Sequence, residues 1–470
     1  MNFASLSAGN PVQGNGTLTV RNPYSGEVVG TVRMASRADV EASIDAARSF
    51  SATPSRHERY TILEKARAAL ESRREEFARL ITAESGLALR ETRYEVGRTL
   101  DVLRFAAVET LKDDGQTFSG DTSPQGKPRK IFTTREPLSC AAAITPFNHP
   151  LNQVAHKVGP AIAAGTPMVL KPSEKTPLVA LKFAELLYEA GLPRPMLSVL
   201  LGLTREVAEI IVQHPGVDIL AFTGSVAVGK KISTTAGYKK LVLELGGNDP
   251  LIILNDADLE LAVALAAEGS FRNSGQRCTA VKRILVEDGV AAEFTARFVE
   301  KTKEYHHGDP SDEHTRVGTV IDEASAVYLE TVVHEAIAAG ARLLHGGQRL
   351  GALLAPTVLD QVPRDCRMVV SESFGPLAPI ITVRDLEDAL TLANSTAFGL
   401  SSGVVTTNLN SALKAVRALK CGSVNINEVP GYRVESSPFG GIKDSGLGIK
   451  EGVVEAMKAY SFVKTFSLPW

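Results

Sequence analysis

The feature that most constrains the fold is an alternation of short apolar strands with helical segments, running from residue 139 to about 425. CAAAITPF, PMVLKPS, LSVLLG, DILAFTGS and KLVLELGG read as strands. Between them lie PLNQVAHKVGPAIAAG, with Pro150 near its start, PLVALKFAELLYEAGL, with Pro177 suited to a first helical turn, TREVAEIIVQHP and VAVGKKISTTAGY. Strands and helices at this spacing predict a mostly parallel sheet with helices on both faces. A second alternating unit follows from about 249, with VKRILVED, ARLLHGG, APTVLD, LAPIITV, SSGVVTT and GSVNIN as strands and EASAVYLETVVHEAIAAGA among its helices. Such sheets bind ligands beyond the carboxyl ends of their strands, where PFNHP, KPSEKTP and FTGSVAVG fall.

Ahead of this lie two strands in 17–33 and helical patterns over 37–114, followed by the turn-rich stretch TFSGDTSPQGKPRKIFTTREP, which reads as a protruding hairpin. The closing segment AYSFVKTFSLPW is too short and apolar to bury itself, so it is expected to add to an existing sheet or to a partner subunit. With 470 residues the chain has room for two or three domains at about 150 residues each. Its charge, 51 − 53 = −2, offers no general attraction to nucleic acid or anionic lipid. No apolar run reaches the ~18 residues needed to cross a bilayer, and MNFASLSAGN does not read as a signal peptide. Four scattered cysteines, Cys140, Cys278, Cys366 and Cys421, argue against a disulfide framework or structural zinc, so a cytoplasmic enzyme is expected.

Three local features carry chemistry. In SGQRCTA, Cys278 follows Arg277, a setting able to lower a thiol pKa; alone, a cysteine is more often a small buried hydrophobe. In LELGG, Glu244 ends a strand before two glycines, where a backbone can approach a ligand; alone, it is a carboxylate at a turn. In TPFNHP, Asn148 sits between a strand and a proline-started helix, the place of an ordinary cap.

Together with their neighbours these segments resemble a known family. ITPFNHP, KPSEKTP, FTGSVAVG, LELGGNDP, SGQRC, ESFGP and SPFGGIKDSGLG occur in the order of the signature motifs of the aldehyde dehydrogenase superfamily, across essentially the whole chain. The resemblance implies an α/β fold with a Rossmann-like NAD-binding domain (1–115 and 137–247), a catalytic α/β domain (248–455) and a small bridging β element (116–136 and 456–470) used in a homodimer or dimer of dimers. It makes Cys278 the nucleophile, Asn148 an oxyanion donor with the Cys278 backbone N–H, and Glu244 the base that activates water; no metal is implied. It places Lys171 and Glu174 at the adenosine ribose, Gly224 and Ser225 near the phosphates, Glu372 and Phe374 at the nicotinamide side, and Ile144, Thr145, Phe147 and Leu245 along the same cofactor site. Glu174 is expected to favour NAD over NADP, because a carboxylate accepts from the ribose hydroxyls and repels a 2′-phosphate.

In this family the aldehyde channel is lined at four positions that here read Arg98, His149, Arg277 and Arg433. Three arginines and a histidine converging there would repel one another without an anionic ligand, although Arg98 could instead pair with Asp101. The set exceeds what one carboxylate needs and suits a phosphonate or phosphate aldehyde. DVLRFAAVETLKDDGQTFS, TPFNHPLNQVAHKVGPAIA, EVPGYRVESSPFGGIKDSGLG and KTFSLPW are similar to the phosphonoacetaldehyde dehydrogenases, which implies NAD-dependent oxidation of phosphonoacetaldehyde to phosphonoacetate. The alternatives are a non-phosphorylating glyceraldehyde-3-phosphate dehydrogenase, which shares GQRCTAVKR, another anionic-aldehyde dehydrogenase, an enzyme passing its thioester to coenzyme A, and a non-enzymatic structural member.

Overall fold

A computed structural model describes residues 1–449 and 451–470. Two seven-stranded sheets carry the expected alternation. In the first, Lys240–Glu244, Ile219–Thr223, Ala141–Ile144, Met168–Lys171 and Leu197–Val199 lie side by side and parallel. Helices Asn152–Ala164, Leu178–Glu189 and Val226–Thr235 connect or follow these strands. The chain leaves Ala141–Ile144 toward Met168–Lys171 on one side and later returns to Ile219–Thr223 on the other. The end of Ala141–Ile144 is therefore a topological switch point, and Thr145–Asn148 issue from it.

The N-terminal helices Arg37–Ser49 and Arg56–Ser72 open with capping boxes, Ser36 with Asp39 and Ser55 with Glu58. Two buried carboxylates then tie the helical layer to the sheet. Glu95 accepts from the backbone N–H groups of Leu151 and Asn152 at 2.8 and 2.9 Å, and Glu84 from those of Leu178 and Val179 at 2.8 and 3.2 Å. Each thus satisfies orphan donors at a helix N-terminus from a distant part of the chain. Burial nevertheless pushes Glu84 up to about 8 and Glu95 up to about 7.

The second sheet runs Arg342–His345, Thr357–Asp360, Leu377–Val383, Val281–Glu287, Asp249–Ile253, Ser401–Val405 and Ser423–Ile426, parallel throughout except for its first strand. Every strand expected here from sequence is present. Asp249–Ile253 was not among them, because a proline normally disqualifies a central strand. Pro250 is accommodated where the register shifts between Asp249 and Pro250. The short strands Asn2–Ala4, Leu6–Ser7 and Asn10–Pro11 carry too few residues to show a period, and they too escape a sequence reading.

The hairpin and the closing segment meet in a third sheet. Ser461–Pro469 pairs antiparallel with Arg129–Pro137 over nine residues, and Thr117–Ser119 lies on the far side. Ser461–Pro469 is one of its two edge strands, and Phe462, Val463, Phe466 and Leu468 on it, with Trp470 just beyond, are exposed. Among the described residues no helix is long and apolar enough to cross a membrane.

Candidate active site

The nucleophile loop is built from strained backbone. Asn273, Ser274 and Gly275 are consecutive left-handed residues, with φ of 57°, 54° and 68°. Two non-glycine residues in that region are held only by surrounding contacts. Asn273 Nδ2 donates to Asn148 O at 2.9 Å and Ser274 Oγ donates to Gly318 O at 3.1 Å. Gly275 packs so closely on the Gly375 carbonyl that a side chain would not fit, which joins SGQRC to ESFGP in space.

From the strand ends, Asn148, Glu244 and Cys278 converge on one cavity of about 230 Å³. Pro146, Phe147, Gln153, Thr223, Gly224, Ser225, Leu245, Gly246, Glu372 and Phe374 complete its lining. Asn148 Nδ2 donates to Gln276 O at 2.7 Å, which uses one of its two amide hydrogens. Among the described residues nothing accepts the Cys278 backbone N–H. Two donors are therefore available beside the thiol. The expected lowering of the thiol pKa by Arg277 is not what the structure shows: burial pushes Cys278 up to about 11, opposed chiefly by Lys282 and then by Arg433. The resting group is a neutral thiol.

Lys282 is a residue the sequence reading passed over. It is 2% exposed, and its Nζ donates to the carbonyls of Arg277 and Cys278 at 2.8 and 2.7 Å and lies 3.2 Å from Glu372 Oε1. Gly247 N–H donates to the same carboxylate oxygen at 3.1 Å. One buried ammonium thus ties the nucleophile loop to Glu372. The two glycines of LELGG are explained by the same packing: a Cβ on Gly246 would strike the Glu372 carboxylate, and one on Gly247 the Cys278 carbonyl.

A second cavity, of about 210 Å³, begins one residue away along the chain, where Phe222 lines it and Thr223 lines the first. Ile144, Lys171 and Glu174 lie in it with Val212, Val228 and Ile232, apolar walls that fit a flat aromatic ring. Ser225 caps helix Val226–Thr235, whose N-terminus falls between the two cavities and suits phosphate groups. Phe147 and Phe374 meet edge to face at 5.9 Å. The residues present therefore fit an extended dinucleotide. Thr145, in contrast, is buried outside both linings. Glu174 is not an isolated carboxylate either, because Lys171 Nζ lies 2.5 Å from its Oε1.

The structure brings Arg98, Arg277 and Arg433 into electrostatic reach of His149, beyond the lining of the Cys278 cavity. It also corrects the expected charge balance. A further arginine, Arg272, belongs to the group, and His149 is neutral, its pKa driven well below the usual range by burial and then by Arg98, Arg277, Arg272 and Arg433. Arg98 does not pair with Asp101; its Nε lies 2.5 Å from Glu435 Oε1. Arg272 Nε meets Glu91 at 2.8 Å and lies over the Tyr94 ring at 3.7 Å. Arg277 donates to the backbone carbonyls of Gly269 and Glu268 at 2.8 and 3.3 Å, and burial lowers its pKa to about 10. Arg433 lies over Phe439 at 4.1 Å and only 3.9 Å from Glu435. Glu435 and Glu91 could not be read as partners from sequence, because Arg98 and Glu435 stand 337 positions apart.

Comparison with known proteins agrees with this arrangement. The model of the aldehyde dehydrogenase family matches residues 11–466. The chain is 40% identical over 436 residues to a 3-sulfolactaldehyde dehydrogenase of Priestia aryabhattai, covering 93% of this chain and 91% of that one. It is 38% identical over 455 residues to a lactaldehyde dehydrogenase of Methanococcus aeolicus, covering 95% and 96%. The crystal structure of an NADP-dependent glyceraldehyde-3-phosphate dehydrogenase from Bacillus halodurans, complexed with NADP, superposes with a TM-score of 0.96 at 35% identity, over 100% of this chain and 99% of that one. A thiol, a carboxylate and an amide gathered at the switch point of a dinucleotide-type sheet, in a chain matched almost end to end, make this protein an enzyme of the aldehyde dehydrogenase family.

Proposed function

We propose that the enzyme oxidises phosphonoacetaldehyde to phosphonoacetate, with NAD as its cofactor. The observation that carries this reading is the cation group beside the thiol: among the described residues, Arg98, Arg272, Arg277 and Arg433 stand against three carboxylates, Glu91, Glu268 and Glu435. The balance, 4 − 3 = +1, leaves a cationic group whose several guanidinium donors suit a many-oxygened anionic head.

In this mechanism Cys278 loses its proton to water and adds as the thiolate, through Sγ, to the aldehyde carbon. The oxyanion that forms accepts hydrogen bonds from the second Asn148 amide hydrogen and the Cys278 backbone N–H. A bound nicotinamide cofactor supplies the acceptor for the hydride that the adduct on Cys278 loses in becoming a thioester. Glu244, on the same cavity, takes a proton from water as it attacks that thioester, and Cys278 leaves. Lys282 holds the Arg277 carbonyl throughout, and because that carbonyl shares a planar peptide unit with the Cys278 N–H it fixes the direction of this donor. Glu372 would hold the nicotinamide-side ribose of that cofactor, and Lys171 and Glu174 its adenosine ribose.

The second reading is another aldehyde with an oxyanionic head, such as 3-sulfolactaldehyde or glyceraldehyde 3-phosphate, favoured by the similarity to enzymes named for those substrates. The exposed edge strand Ser461–Pro469 further supports a homodimer or dimer of dimers, since an unpaired apolar edge invites pairing with a second copy. Four free thiols fit a reducing cytoplasm. The test is NADH formation with phosphonoacetaldehyde, glyceraldehyde 3-phosphate and 3-sulfolactaldehyde side by side. The highest kcat/KM on phosphonoacetaldehyde supports the assignment, and a preference for either other aldehyde replaces it with the second reading.

A further inference from the structure

Glu435 sits where three elements distant in the chain converge. Its side chain is 6% exposed. Oε1 accepts from Arg98 Nε at 2.5 Å, on helix Leu89–Thr110. Oε2 lies 2.5 Å from His156 Nε2, on helix Asn152–Ala164, and 3.9 Å from a terminal nitrogen of Arg433. Burial would raise this carboxyl, yet His156, Arg98 and Arg433 outweigh it and hold it far below the usual range. The carboxylate is thus charged, and it is the only charge of opposite sign within ion-pair distance of Arg98 or Arg433 among the described residues.

The way Arg98 is held has a chemical consequence. Glu435 takes Nε, and among the described residues the two terminal nitrogens of Arg98 donate to no group. A guanidinium gripped on its Nε side keeps a fork of two NH₂ groups for an external oxyanion. Arg433 is likewise not consumed: its contact with Glu435 is too long for a hydrogen bond, and Phe439 supports it from below. Without the carboxylate the two guanidiniums, whose like charges repel, would separate.

We propose that Glu435 is a positioning and specificity-determining residue, which holds Arg98 and Arg433 together with their terminal nitrogens free for the oxyanionic head of the aldehyde. It touches neither the aldehyde nor the thiol and acts through the two arginines. The inference rests on the reading of the substrate as an anionic aldehyde and goes beyond it by naming what builds the anion subsite.

The experiment compares wild type, Glu435→Gln and Glu435→Asp with saturating NAD, on phosphonoacetaldehyde and on propanal, which has no charged head. In Glu435→Gln the KM for phosphonoacetaldehyde should rise about tenfold or more, with a smaller change in kcat, because the arginines lose their shared partner. The loss in kcat/KM on propanal should be several-fold smaller. Glu435→Asp keeps the charge with a shorter reach and should recover part of the KM. An unchanged KM for phosphonoacetaldehyde, or equal losses on both aldehydes, would overturn the role. Should Glu435→Gln fail to fold, Glu435→Asp decides alone: a KM rise confined to phosphonoacetaldehyde supports the proposal and an equal loss on propanal defeats it. Wild type showing no preference for phosphonoacetaldehyde over propanal would instead count against the functional reading, independently of either variant.

Discussion

The reaction centre and the cation group lie next to each other and are built on opposite principles. Around Cys278 the structure offers amide hydrogens, a strained loop and burial, with a single buried ammonium behind the nucleophile's own carbonyl. Around His149 it offers four guanidiniums, three carboxylates and an imidazole held neutral. The first region acts on a carbonyl, which every aldehyde has. The second can act only on what the rest of the aldehyde carries. Chemistry and selectivity are thus assigned to different side chains, and they can be disturbed separately.

The largest expected effect falls on the reaction centre alone. Asn148→Ala removes one oxyanion donor and should lower kcat by ~10²–10³ for charged and neutral aldehydes alike. Steady-state rates on phosphonoacetaldehyde and propanal check this, and a loss restricted to one of them would mean that the two regions are not independent. Arg433→Ala should do the reverse. Its KM for phosphonoacetaldehyde should rise by about ten- to a hundredfold, while propanal kinetics change far less.

Titration sharpens the comparison further. Because burial raises Cys278 to about 11, the thiolate fraction of the free enzyme grows through the whole range from neutral to pH 10. Alkylation by iodoacetamide should therefore accelerate about tenfold per pH unit over that range. A plateau near pH 8 would show that the cations outweigh burial after all. The smallest effect concerns the cofactor cavity. Glu174→Gln should reduce the preference for NAD over NADP by about tenfold or less, since Lys171 already offsets part of the carboxylate's charge. Ratios of kcat/KM for the two cofactors measure it.

Much of this was legible in the sequence, for a physical reason. The alternating strands of both large sheets are continuous apolar runs, and the motifs at their ends are local. Cys278, Glu244 and Asn148 stand out because each lies within a few residues of a strand end or turn that forces its placement. What escaped reading depends on contacts across the chain. Arg98, read as a channel residue, had Asp101 on its own helix as the alternative partner, but its partner is Glu435, 337 positions on. Arg272 was hidden because nothing local distinguishes it from a surface arginine, and Lys282 because a lysine in a strand normally faces solvent. The thiol pKa was misjudged for a related reason: Arg277 is next to Cys278 in sequence, but its hydrogen bonds go to Gly269 and Glu268, and burial dominates. Adjacency along the chain fixes the backbone, not the direction of a long side chain.

The most direct measurement is the ratio of kcat/KM for phosphonoacetaldehyde to that for propanal, taken in wild type and in Arg433→Ala. A large ratio in wild type that falls by at least about tenfold in the variant is the result expected if the cation group selects the substrate by its charged head. A wild-type ratio near one, or a ratio that survives the substitution intact, would contradict it.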